Sequence, residues 1–162
     1  MNETQMSELS PELIAELQQL TIYVLIVILL VWILFAYNVR KTLLLIKPEN
    51  QIILPNQAWF LAVPLFNIFW NFEVSKRLAY SFNNEFFDRK VAVEDMPTLQ
   101  IGNRYAWSFL IYNIPFFPDF IRLLAFILCI TYFISYWYKI VQFKSLIEEH
   151  EAWKQKQQSD ED

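Results

Sequence analysis

Apolar residues along this chain gather in long runs instead of alternating with polar ones. That pattern suits lipid better than the core of a soluble domain. The first run, Leu20 to Tyr37, has eighteen residues and no charge. A helix of that length rises about 27 Å, close to the roughly 30 Å hydrocarbon core of a bilayer. Four such runs predict four membrane-spanning helices, at about residues 20–38, 57–75, 100–115 and 120–139.

The stretches between the runs predict how the helices begin and end. Ser10, Pro11 and Glu12 form a helix start: a hydroxyl cap, a proline in the first turn and a carboxylate at the positive end of the dipole. Pro48 and Pro55 break the chain between the first two spans. After the second span, Leu78, Phe82 and Phe86 recur every four residues among charges, which predicts an amphipathic helix at the membrane interface. Pro97 interrupts the loop before the third span, and the "IPFFPDF" segment reverses the chain before the fourth. "YWYK", from Tyr136 to Lys139, is an aromatic and cationic anchor at the interface. The predicted fold is an all-α, four-helix transmembrane bundle with an N-terminal helical extension. Its parts are an acidic juxtamembrane segment (1–19), a four-span domain (20–144) and a charged tail (145–162) that frays after Trp153.

Composition narrows the chemistry. Of 162 residues, 56% are hydrophobic and 18% aromatic, and Gly102 is the only glycine. A phosphate-cradling loop, a filter of backbone carbonyls and a Gly-x-x-x-Gly crossing all need more glycine than this. Cys129 and His150 are the only Cys and His and lie far apart in sequence. They provide no metal ligand set and no Cys–His nucleophile. Neither a cofactor nor catalytic residues are expected. The net charge of −4 gives no reason to expect nucleic-acid binding. The acidic segment before the first run and the lack of a small-x-small site after it do not fit a cleaved signal. With four spans, nine Lys and Arg fall on the side of the termini and four on the other. The positive-inside rule then expects both termini in the cytoplasm of an inner-membrane protein.

The second run carries polar residues at helical spacing: Pro64, Asn67, Asn71 and Ser75. On a continuous helix they share one face, and Pro64 frees the carbonyl of Phe60. Such a break survives in a membrane only where protein or water satisfies it. Two roles are open for this face: packing through interhelical hydrogen bonds, or lining a path for a substrate. Tyr112, Asn113, Thr131 and Ser135 are the candidate partners on the other spans. Glu73 with Arg77, and Asp119 with Arg122, have the spacing of interfacial ion pairs. Lys76, Arg77, Arg89 and Lys90 flank the amphipathic stretch and suit anionic lipid headgroups.

From Pro48 onward the sequence resembles a family of uncharacterised small bacterial membrane proteins, frequent in Bacteroidetes. The residues that carry the resemblance are Pro48, Asn50, Gln51, Pro55, Trp59, Pro64, Phe66, Asn67, Trp70, Phe72, Ser81, Glu85 and Phe86, and the closing "YWYKIVQFKSLI". The similarity covers about residues 40–147. Val63 stands where that family usually has Ile, and only Gly102 remains of its small residues before the third span. The resemblance implies a four-span integral membrane protein and no particular activity. Two functional readings follow from the residues. One is a non-enzymatic accessory or scaffold module that binds partner proteins or lipids, alone or as a homo-oligomer. The other is a small oligomeric transporter or channel subunit using the Pro64, Asn67 and Asn71 face.

Overall fold

The computed structural model describes residues 10–161. The acidic residues Glu3 and Glu8 lie outside that range. Among the described residues the chain is all-helical: α1 (Pro11–Leu45), α2 (Phe66–Arg89), α3 (Leu99–Asn113) and α4 (Asp119–Glu161), with 3-10 segments at Pro48–Asn50 and Pro55–Ala62 between α1 and α2. Helices α1 and α4 are long and apolar enough to cross a membrane. At 35 and 43 residues they reach about 52 and 64 Å. The all-helical class is as expected; of the four expected spanning helices, two among the described residues have that length and apolarity.

α1 starts as the sequence predicts. The Ser10 side chain accepts a hydrogen bond from the Leu13 N–H at 3.3 Å, with Pro11 in the first turn. Only its final third is buried by protein, through Phe35, Ala36, Val39, Thr42 and Leu43. It ends because Pro48 disfavours the α conformation in Lys47, which is extended at ψ 142°.

The predicted second span is not one helix. Pro55–Ala62 is a 3-10 segment that packs back along α1, with Arg40 Nε donating to Asn56 Oδ1 at 3.2 Å. The chain then reverses at Val63–Leu65, where Leu65 takes a left-handed φ of 65°. α2 descends beside the segment it has just left, and the Trp70 Nε1–H donates to the Gln57 carbonyl at 3.1 Å. The result is a helical hairpin with Pro64 at its exposed tip. Its two arms are both apolar, which is why they read as one run.

α2 continues without a break through the stretch expected at the membrane surface. Leu78, Phe82 and Phe86 are buried against protein, not lipid. Phe82 and Phe86 meet Phe143 of α4 at ring separations of 5.5 and 5.7 Å. α2, α3 and α4 meet at Gly102. A Cβ built there would lie 2.7 Å from the Ser75 Cβ and 2.9 Å from Tyr136 Cε2. The single glycine sits where no side chain fits.

α1 and α4 run parallel. Leu25, Ile28 and Trp32 share a groove with Phe126, Cys129 and Phe133, and further down Phe35 meets Phe133 and Trp137. α3 runs between them in the opposite direction, with Trp32 against Phe109 and Tyr112 against Phe126. Ser10 and Glu161 therefore lie at opposite ends of the bundle, whereas four crossings would bring the two ends of the chain to one side. A second contact agrees. The Lys47 N–H and Asn50 Nδ2 donate to Glu85 at 3.0 and 2.9 Å, so two segments expected on opposite faces of a bilayer touch. The C-terminal tail, expected to fray after Trp153, is helical to Glu161.

Candidate functional site

Where α1, α2 and α4 converge, the chain buries a charge network. Glu85 and Arg89 are one turn apart on α2, and their side chains are 0% and 2% exposed. Arg89 Nε and Nη2 reach Glu85 Oε1 at 2.7 and 2.6 Å. Glu85 Oε2 accepts from the Lys47 N–H and from Asn50, whose Nδ2 also donates to Asp88 Oδ2 at 2.9 Å. Arg89 Nη1 then crosses to α4, where it meets Glu151 Oε1 at 2.5 Å and His150 Nδ1 at 3.1 Å. Pro48–Asn50 sets Asn50, and the rigid extension of α4 sets His150 and Glu151. Such a pair is costly to desolvate, and removing one partner strands a buried charge. The network acts as a latch joining three segments distant in sequence.

The neighbourhood shifts two titrating groups. Partial burial pushes His150 down from its usual range, helped by the cations Lys154 and Arg89. The hydrogen bond from Arg89 holds Glu151 below the usual carboxylate range. Both carboxylate oxygens of Glu85 are occupied by chain donors. Among the described residues, no three His, Cys, Asp or Glu side chains converge to hold a metal.

The polar face of the hairpin splits in two. Asn67, Asn71 and Ser75 are buried on α2, as their spacing predicts, whereas Pro64 is exposed at the tip. Asn67 Nδ2 donates to the Leu61 carbonyl at 3.3 Å, which satisfies the end of the 3-10 segment. Ser75 Oγ bonds Asn103 Oδ1 at 2.8 Å, and Asn71 lies beside the Tyr105 hydroxyl. The expected partners are engaged elsewhere. Thr131, Ser135 and Asn113 each donate to a carbonyl of their own helix. α3 packs its first two turns, not its last, against this face.

Arg77 Nε meets Glu73 Oε2 at 2.7 Å, and Arg122 Nη1 meets Asp119 Oδ1 at 3.5 Å, both on the surface. Lys76 and Lys90 are exposed, but Arg89, expected at lipid headgroups, is buried in the latch. Its four-residue spacing from Glu85 is the same as that of Glu73 and Arg77, so the pair was legible. What sequence spacing does not reveal is Asn50, which is 35 residues from Glu85. Two apolar grooves open on the surface. One of about 360 Å³ lies between α1, α3 and α4. The other, of about 370 Å³, lies between α3 and α4. Comparison with protein-family models, curated proteins and solved structures finds no match.

Proposed function

We propose that this chain is an inner-membrane module with three crossings and one half-membrane hairpin, serving as a non-enzymatic accessory or scaffold for partner proteins or lipids. α1 crosses once, α3 returns, and α4 crosses again and continues about 30 Å beyond the bilayer from Lys139 as a rigid arm. The hairpin enters and leaves on the side of that arm. From Ser75, level with Gly102, to Phe66 is nine residues, about 13 Å. That reaches near the midplane of a hydrocarbon core about 30 Å thick. Asn67 then supplies the internal hydrogen bond that a broken helix needs at that depth.

Charge supports the orientation. Of the 13 Lys and Arg, all but Arg122 fall at the end where α1 stops and the arm begins. The positive-inside rule assigns that end to the cytoplasm. The N-terminal segment, without a basic residue before Arg40, is then outside. This asymmetry is steeper than the four-span arrangement gives.

The observation that carries the scaffold reading is the closure of the Asn67, Asn71 and Ser75 face by Leu61, Tyr105, Asn103 and Gly102. A face filled by its own chain packs instead of conducting. The residues Asn50, Ser81 and Glu85, which carry the resemblance to the small bacterial membrane proteins, serve the same end: Asn50 bonds Glu85, and Ser81 accepts from the Ile52 N–H at 2.9 Å. The test is reconstitution in liposomes beside mild-detergent extraction. The reading predicts no K⁺ or H⁺ flux above empty vesicles and a stoichiometric partner that Asn67→Leu with Asn71→Leu does not release. Flux that this double substitution abolishes would establish the transporter or channel reading instead.

A further inference from the structure

We infer that the groove between α3 and α4 is a binding slot for an anionic glycerophospholipid of the cytoplasmic leaflet, with its phosphate on Arg104 and one acyl chain along the groove. The inference rests on the membrane arrangement proposed above. The groove, about 370 Å³, is walled by Ile111, Ile121, Leu124 and Leu128, with Trp107 and Tyr132 alongside. Asn103 and Arg104 lie at one end of it, and Ser108, part-way along, turns its hydroxyl to the Tyr105 carbonyl. From Arg104 to Ile111 the wall rises about 10 Å, and one leaflet's hydrocarbon is about 15 Å deep. An acyl chain entering beside Arg104 therefore stays within its own leaflet.

The charge complements that occupant. Among the described residues Arg104 is exposed and makes no ion pair, while Arg77, Arg89, Arg122, Lys139 and Lys144 all have carboxylate partners. A guanidinium presents several donors in a fork that fits phosphate. Asn103 Oδ1 is held by Ser75, and its Nδ2 has no partner among the described residues, which leaves a second donor next to the first. Ala125, buried at the floor, gives the groove its depth.

Native mass spectrometry of the purified full chain, with phosphatidylglycerol and phosphatidylcholine of identical chains in equal amount, tests the slot. The phosphatidylglycerol complex is expected to be retained about five-fold better, the preference one cation near a lipid surface provides. Arg104→Gln should bring the two lipids to parity. Arg77→Gln, which removes the same charge elsewhere on that face, should leave the preference intact. Leu124→Trp, at an exposed wall position, should lower retention of both lipids by filling the groove. Equal retention by the unmodified chain, an equal loss in Arg77→Gln and Arg104→Gln, or a dimer in place of lipid-bound monomer would each overturn the slot. The assay does not depend on membrane orientation. Lipid preference together with labelling of Arg104→Cys from outside would keep the slot and refute the orientation.

Discussion

Asn67 resolves a difficulty that Pro64 creates. A proline at the tip of an apolar hairpin ends one helical segment, and the carbonyl of Leu61 is left for the Asn67 amide to satisfy. At the other end of α2, Glu85 carries more of the fold. Glu85→Ala takes away the buried counter-charge of Arg89, which is 2% exposed, and leaves it only the half-exposed Glu151. The expected loss is about 3 kcal/mol, the low end for breaking a buried pair, because Glu151 still faces the guanidinium. Equilibrium unfolding in mixed micelles measures it. Glu85→Ala with Arg89→Met should recover much of that loss, because the buried charge goes with its partner. At Gly102, alanine must push Ser75 or Tyr136 aside. Overpacking of this kind costs about 1–3 kcal/mol, readable in the same assay. A neutral Gly102→Ala would mean that the three helices do not meet so closely.

Among the elements, the arm of α4 depends on its latch to α2. Arg89 reaches it from α2 beside Glu85, and Glu151, His150 and Lys154 face the same place from α4. The His150 pKa is lowered, so the folded state binds its proton less readily than the unfolded chain does. The stabilising contribution is present above the ordinary imidazole value of 6.5 and is lost as pH falls toward the lowered value. Glu151 is also lowered: its contribution is present above 4.5 and is lost as pH falls further. Hydrogen exchange over Leu146–Trp153 should therefore be slow at pH 8 after correction for intrinsic rates. It should rise first below pH 6.5 and again below 4.5. Protection unchanged from pH 8 to 4 would show that the latch does not hold the arm. His150→Asn should remove the first step alone.

At the scale of the whole molecule, the helical class, the start of α1 at Ser10 and the surface pairs at Glu73 and Asp119 were legible because each depends on local spacing. The path of the chain was not. An apolar run reports that residues avoid water, but not whether lipid or protein covers them. Leu78, Phe82 and Phe86 have the same pattern on an interfacial helix as in the contact they make with Phe143. Residues 57–75 read as one crossing because both arms of a hairpin are apolar, and Pro64 was the one local sign of the turn. The contact that ties the connector to α2, Asn50 to Glu85, joins residues 35 apart and leaves no periodic trace.

The arrangement of three crossings and a hairpin makes its sharpest claim about sidedness. The most direct measurement is labelling of single cysteines, placed at the exposed positions Glu12, Glu49 and Lys156 in a Cys129→Ser background, with a membrane-impermeant thiol reagent on intact cells. Glu12→Cys should be labelled from outside, and Glu49→Cys and Lys156→Cys should react only after the membrane is opened. Labelling of Glu49→Cys on intact cells, with Glu12→Cys and Lys156→Cys both protected, would contradict the three-crossing arrangement and restore four crossings with the termini together.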